Sequence, residues 1–172
     1  MKKISFQNDI LPLKNELYRL ALRITLNAAD AEDVVQETML KVWNRRHQWD
    51  EIESIEAFCL TICRNQALDK TRRMGRQDES LNEDHHQQAD HSYNANPEEQ
   101  AIHQDRLRLL SRLMDGLPEK QRTVMQLRER EGKSYKEIAD VMGITEDQVK
   151  INLFRARQAL KQQFIEAEGF SS

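Results

Sequence analysis

The sequence is poor in the residues that punctuate or cross-link a chain. Five glycines and three prolines in 172 residues are too few for a many-stranded sandwich and favour long helices. Two cysteines, Cys59 and Cys63, cannot build a disulfide framework. No run approaches the roughly 18 consecutive apolar residues that span a bilayer. Met1 to Leu13 has neither the continuous apolar core nor the small-residue cleavage site of a secretory signal. Cytoplasm, with no membrane insertion, is the expected location. There is also no Gly-rich phosphate loop, no nucleophile motif and no acid pair isolated from counter-charges. The expectation is therefore a protein that is no enzyme, with no catalytic residues, no metal and no cofactor.

What the chain has in quantity is charge, at 32% of residues against 38% hydrophobic. Lys plus Arg number 26 and Asp plus Glu 29, a net of −3, which taken globally speaks against nucleic acid. The distribution along the chain says otherwise. Residues 1–73 carry 12 basic and 11 acidic side chains, residues 74–105 one and eight, and residues 106–172 13 and 10. Two mildly basic flanks thus enclose an acidic strip. The strip's core, 74–96, has one Leu, one Met and one Tyr as its sizeable apolar groups. That is too little to offset an ordering cost of about 1–2 kcal/mol per residue. The chain divides on this basis into an N-terminal module at 8–73, a flexible acidic linker at 74–96 and a C-terminal module at 97–168. A linker of that length spans about 25 Å on average.

In the first module apolar residues recur at three and four. Leu17, Leu20, Ala21 and Ile24 form one helical stripe, with Pro12 in its first turn. Asp30 is placed to cap a second helix running to about Trp43, whose inner face holds Ala31, Val35, Met39 and Val42. Its opposite face carries Asp33, Glu37 and Asn44, with Gln36 at its margin and Leu40 in its middle. Taken alone, Leu40 is an ordinary stray surface leucine. A third helix starts after Ser54 with Phe58 and Ile62 inward, and its far end carries Arg64, Asn65, Lys70, Arg72 and Arg73. Such a cluster complements a helix C-terminus or tracks phosphates; composition leaves both open. Cys59 and Cys63 share a helix face, a spacing that suits two metal ligands, with His85, His86 or His91 completing a set. They lie beside Phe58 and Ile62, so buried small hydrophobes are the better account.

The second module opens with Asn96-Pro97-Glu98-Glu99, a helix start. Ile102, Leu109, Leu110, Leu113 and Met114 supply its stripe and Gly116 stops it; Pro118 opens the next helix. Ser134-Tyr135-Lys136-Glu137 is a capping box. The short helix it starts ends at Gly143, and Thr145 with Gln148 caps a longer one. Helix, three-residue turn with Gly, helix is the helix-turn-helix pattern. Val149, Leu153, Ala156 and Leu160 face inward on its second helix, while Asp147, Gln148, Ile151, Phe154 and Arg155 face out, with Lys150 flanking; Glu146 and Asp147 put acid at its start, which suits the helix end but not a phosphate. Cations at the margins suit phosphate walls, and Ile151 and Phe154 suit thymine methyls or sugars. An ordinary helical hairpin with a solvated face is the plainer alternative; the two boxes and the local basic charge favour DNA.

These segments together resemble a known family. Asp30-Ala-Glu-Asp-Val-Val-Gln-Glu-Thr-Met-Leu-Lys-Val-Trp43 is similar to region 2 of sigma-70-type factors, especially the small extracytoplasmic-function (ECF) group. Ala57 to Asn65 and Asp69 to Arg73 resemble the family's following helix. Leu117 to Arg122, Ser134 to Ala139 and Val149 to Arg157 resemble region 4. The resemblance covers both flanks, and the order and separation of its parts are more specific than any one of them.

The resemblance implies an all-α protein of two small helical domains, binding core RNA polymerase and promoter DNA. Asp33, Gln36, Glu37 and Leu40 would meet the polymerase clamp, which gives the exposed Leu a partner. His47 to Ser54 and the third helix would engage the −10 element, with Arg64, Asn65, Lys70, Arg72 and Arg73 on bases or phosphates. Trp49 and Phe58 would be the aromatics available to unstacked bases. Ser134, Tyr135, Lys136, Thr145, Gln148, Lys150, Ile151, Asn152, Phe154, Arg155 and Arg157 would serve the −35 element, with another surface of the domain on the polymerase flap. Ile151, Asn152 and Phe154 stand where family members often carry Ser, Arg and His. An anti-sigma partner is implied by the resemblance alone. The rival from another class is a stand-alone helix-turn-helix regulator that dimerises through its N-terminal helices and binds a palindrome without polymerase.

Overall fold

The computed structural model describes residues 3–74 and 97–168; the expected linker, beyond Met74, lies outside them. Among the described residues seven α-helices fall into two groups: α1 (Lys14–Thr25), α2 (Ala28–Asn44) and α3 (Ile55–Met74), then α4 (Pro97–Asp115), α5 (Glu119–Met125), α6 (Tyr135–Met142) and α7 (Glu146–Ala167). Short helical turns at Phe6–Ile10, Leu11–Leu13 and Arg46–Glu51 complete the first group, and a widened turn at Gln126–Arg130 extends α5.

The first three helices pack on one another around Leu17, Leu20, Ala21 and Ile24 of α1, Ala31, Val35 and Val42 of α2, and Cys59, Ile62 and Cys63 of α3, all buried. The three-and-four spacing of these residues puts them on inward faces. Pro12 sits in the Leu11–Leu13 turn ahead of α1 rather than inside it, where its missing N–H costs nothing. The start of α2 differs from expectation. Asn27, not Asp30, is its cap, and the Asn27 side chain accepts from the Asp30 N–H at 2.9 Å. Leu26 closes α1 in the left-handed region at φ 57°, its N–H donating to Leu22 O at 2.8 Å. That conformation costs an L-residue roughly 1–2 kcal/mol. It leaves a two-residue link that folds α2 back along α1.

In the second group α7 packs on α4, α5 and α6. Met114, Val124, Leu127, Ile138, Val149, Leu153 and Leu160 are its buried members. The expected α4 stripe holds only at its C-terminal end. Met114 is buried, but Ile102 is 55% exposed and Leu110 38%, because the α4 packing rests on α7 and the earlier turns reach past that core. Arg122 ties the α4–α5 junction together: its Nη1 donates to Leu117 O at 2.9 Å and Asp115 O at 3.3 Å.

The two groups pack against each other, α1 on α5 and α3 on α6. Between them Lys133 lies against two carboxylates, Glu16 at 2.9 Å and Glu56 closer still. Burial, then the hydrogen bond with Glu56, pushes the Glu16 carboxyl up to about 7; the hydrogen bond with Lys133 opposes this only in part. Glu56 is held below its usual range: hydrogen bonds with Glu16 and Lys133 outweigh the burial that opposes them. A carboxyl with a raised folded-state pKa binds its proton more tightly folded than unfolded. Its stabilising effect is complete below the unfolded value and is lost as pH rises through about 7. Thermal stability should therefore fall between about pH 5 and 8. Glu16→Gln should flatten that slope; an unchanged slope in melting curves would refute the assignment.

Candidate nucleic-acid interface

The helix-turn-helix is built as its sequence signals. Ser134 Oγ accepts from the Glu137 N–H at 3.1 Å, and Glu137 Oε1 accepts from the Ser134 N–H at 2.9 Å. Thr145 and Gln148 repeat the exchange at 3.0 Å each way. Gly143, at φ 69°, takes the left-handed conformation that ends α6, which glycine adopts without steric cost. Ala139 is small and buried, and its carbonyl accepts from the N–H groups of Gly143 and Ile144.

On α7 the outward face carries Gln148, Lys150, Ile151, Phe154 and Arg155, all exposed, Phe154 by 62%. A large aromatic so bare has little to gain from water and is free to lie against a partner. Asn152 is half-buried and its side-chain N–H donates back to Gln148 O at 2.9 Å. Arg157 is exposed but paired with Glu129, its Nε 3.0 Å from the carboxylate. Lys136 is exposed and leans on Asp140 one turn away. Tyr135 lies between two cations, with Arg128 4.5 Å and Lys150 5.6 Å from its ring centroid. Arg128 joins the basic margin only through this stacking, so no helical spacing announced it.

The first module brings together a second candidate surface. Asp33, Gln36 and Glu37 are exposed on α2, and Leu40 stands among them 58% exposed. Lys70 reaches from α3 to Asp33 at 3.2 Å, joining the acidic face to the expected DNA-facing set. Asn65, Arg72 and Arg73 are exposed along α3, Arg72 paired with Asp69 at 3.0 Å.

Two expected residues sit elsewhere. Arg64 is 7% exposed. Its Nε and Nη2 hold Glu119 of α5 at 3.1 and 3.0 Å, and its Nη1 faces Met142 O at 3.5 Å. In this arrangement its guanidinium meets the second module, not solvent, because α3 packs against α6 there. Trp49 is also buried, at 6%, its indole N–H donating to Val42 O at 3.1 Å. It is core, so it cannot take up an unstacked base, and Phe58 is itself packed on the core. The exposed aromatic of this module is Trp43, edge-on to Phe6 and Trp49, with the Arg46 guanidinium 4.4 Å from its ring centroid. A Trp at the end of a helix, followed by two arginines, was the available signal.

Helical architecture, a doubly capped helix-turn-helix and an acidic face centred on a bare leucine define a two-module helical protein with the marks of a nucleic-acid reader. Family comparison agrees. The model of sigma-70 region 2 matches residues 10–77 and that of sigma-70 region 4 matches residues 107–160. The ECF RNA polymerase sigma factor SigL of Mycobacterium tuberculosis (H37Rv) is 34% identical over 152 residues, 84% of this chain and 80% of that protein. The ECF RNA polymerase sigma factor SigE of Mycolicibacterium smegmatis is 36% identical over 149 residues, though the chain spans only 56% of its length. Among solved structures, the sigma factor RpoE of Bartonella quintana, crystallised with the anti-sigma factor NepR, superposes with a TM-score of 0.72. That likeness covers 94% of this chain and 96% of that one at 23% identity. CnrH, solved with the cytosolic domain of CnrY, superposes at 0.63 and 22% identity. The chain belongs to the sigma-70 family, in its ECF group.

Cys59 and Cys63 are buried, and burial pushes both thiols up to about 12. Cys63 Sγ lies 3.4 Å from Leu17 O across the α1–α3 contact. Thiols this protonated are poor nucleophiles and poor ligands. Neither should react with Ellman's reagent until the protein is unfolded, and zinc should not bind stoichiometrically. A fast-reacting thiol in the native protein would reopen the metal-site alternative.

Proposed function

We propose that this chain is a promoter-specificity factor, which binds core RNA polymerase and directs it to DNA for transcription initiation. The observation that carries this is the joint presence of two surfaces on one small chain. One is the α2 face with Leu40 exposed among Asp33, Gln36 and Glu37; the other is a basic, aromatic-bearing recognition helix. The first suits a protein partner and is wrong for phosphate; the second suits a major groove. The α2 face would dock on the polymerase clamp, and the second module would also rest on the flap. Residues 8–73 would thereby hold the −10 element through Asn65, Lys70, Arg72 and Arg73, while Arg64 is taken up by Glu119. Residues 97–168 would read the −35 element through α6 and α7.

The residue roles at the −35 site divide by what each side chain already does. Ser134, Thr145 and Gln148 shape the motif through their caps while exposing their polar atoms. Lys136, Lys150, Arg155 and Arg157 supply charge to phosphates, and Tyr135 holds Lys150 in place. Ile151, Asn152 and Phe154 face the bases and set the sequence read. Any chemistry would belong to the polymerase; this chain needs no cofactor or metal for binding and placement. Work at promoters places it in the cytoplasm. No helix among the described residues is long and apolar enough to cross a membrane. RpoE and CnrH were each solved with a partner, named as an anti-sigma factor for RpoE, which supports a regulator of that class for this chain. The dimeric stand-alone regulator is disfavoured because sigma-70 regions 2 and 4 are both matched, in order, along this one chain.

Co-purification with core polymerase followed by run-off transcription tests the proposal; core binding with no promoter-specific transcript would sink it. Reversing charge at Asp33 and Glu37 together should weaken core binding by about tenfold or more. The fold should survive, since the exposed Lys70–Asp33 pair is worth only about 0–1 kcal/mol. Unchanged core affinity would remove α2 from the docking surface. Arg155→Ala should weaken binding to −35 duplex and reduce the salt slope by about one. A slope equal to wild type would take Arg155 off the phosphate wall.

A further inference from the structure

One large aromatic surface of the first module belongs neither to the acidic face of α2 nor to the cations of α3. Trp43 ends α2 43% exposed, although few side chains gain more from burial. It is held in place. Phe6 and Trp49 stand edge-on to it, with ring centroids 5.7 and 6.1 Å away. Both supports are fixed in turn: Trp49 through its bond to Val42 O, and Phe6 in the turn that Ser5 caps at the Asn8 N–H, 3.2 Å away. The Arg46 guanidinium lies 4.4 Å from the indole centroid, and its Nη1 donates to Trp43 O at 3.1 Å.

Around this stack the charge has one sign. Residues 38–49 hold Lys41, Arg45 and Arg46 and no acid. Arg45, Arg46 and His47 are exposed, and among the described residues no carboxylate pairs with them. A helix C-terminus attracts cations by itself, but that needs no bare indole beneath one of them. The change along the chain is abrupt. Asp50, Glu51 and Glu53 follow, all exposed, so the later part of the segment His47 to Ser54 repels a phosphodiester strand while the end of α2 attracts one.

Continuity along α2 would give Trp43 to the partner of Leu40, three residues before it. Charge decides against that. The face of Asp33 and Glu37 calls for a basic partner, which Arg45 and Arg46 would repel. A polyanion with flat apolar faces satisfies the whole set: bases stack on indole and guanidinium, and phosphates meet the cations. A paired duplex keeps those faces stacked on one another, so the ligand is a separated strand. Trp49 and Phe58, the aromatics expected to serve such a strand, are buried or packed on the core.

We propose that Trp43 and Arg46 form a stacking platform for an unstacked base of single-stranded DNA, with Arg45 and His47 beside its phosphates. This deepens the −10 assignment and rests on the sigma-factor reading for the origin of the strand, the opened −10 element. It moves the strand's path away from Asp50 to Ser54 and over the end of α2. Stacking tolerates any base because each has a π-face, so the platform captures an opened strand without selecting its sequence.

Iodide quenching of the full chain reports on Trp43, since Trp49 is 6% exposed. An oligothymidylate of about 16 nucleotides should shield the indole from iodide at low salt. In the complex with core polymerase, Trp43→Leu should weaken binding of the same strand by about fivefold or more. Trp43→Phe should restore most of it, and neither variant should alter core affinity. Arg46→Gln, at an exposed position, should weaken strand binding as well and reduce its salt slope by about 0.7. Circular dichroism should match wild type, and Arg46→Gln carries the test if the tryptophan variants fail to fold. Quenching indifferent to the strand, wild-type binding by Trp43→Leu or Arg46→Gln, or equal losses in Trp43→Phe and Trp43→Leu would each overturn the platform. So would a fall in core affinity on Trp43→Leu, which would assign the indole to the polymerase clamp. If wild type fails to bind core, the sigma-factor reading fails, and iodide protection in the free chain still decides whether Trp43 takes a strand.

Discussion

A guanidinium taken out of water must find an anion or a ring of carbonyls, and at the centre of this molecule several do so at once. Arg64 and Arg23 from the first module find Glu119, Gln126 and Asp115 on the second, and Arg122, bonded chiefly to carbonyls of its own module, reaches Ile24 O at 3.5 Å across the seam. Each module of about 70 residues has a modest core, near the size where burial alone gives slender stability. The charged seam couples their stabilities while closed. Burial pushes the Arg23 and Arg122 guanidinium groups down from their ordinary range, with nearby carboxylates opposing it, while the Glu131 hydrogen bond pushes Arg19 up. The seam is thus a balance of desolvation against pairing, not a uniformly favourable contact.

That balance accounts for what the sequence revealed and what it withheld. Helix number, type and inward faces were legible because apolar spacing at three and four is a local pattern with a single solution. The helix-turn-helix was clearer still: Ser134 with Glu137, Thr145 with Gln148, and Gly143 each act within a few residues of themselves. Leu40 was legible as an anomaly and became meaningful once the family was recognised.

The errors were non-local. Asn27 displaced Asp30 as the cap because the α1–α2 link is only two residues long, a length set by how the helices pack. Trp49 resembled a base-stacking residue but was needed in the core, where its indole N–H finds Val42 O. Ile102 and Leu110 fit a core stripe, yet the part of α4 that carries Ile102 passes beyond the core it would line. Arg64 sits in a run of cations that composition cannot sort, and its partner Glu119 lies 55 residues on. No periodicity connects such a pair; it exists only once two domains are apposed.

The same argument reinterprets the net charge. A total of −3 looks unsuited to DNA, and splitting it by segment recovers two basic flanks. The structure takes the split further, because several of those cations are spent on the second module's own acids. Arg19, Arg23, Arg64 and Lys133 are engaged across the seam, and Lys70 and Arg157 are paired within their own modules. Lys150 and Arg155 on α7, with Arg73 on α3, are left as exposed cations on the assigned DNA surfaces, and Lys136 and Arg72 are exposed beside a carboxylate one turn away. Since affinity for DNA scales with the number of phosphates neutralised, a chain with so few uncommitted cations would hold a promoter weakly by itself. Docking on a large partner would supply the remainder by proximity. Dependence on polymerase then follows from where the charges are committed, and the negative total is its outward sign.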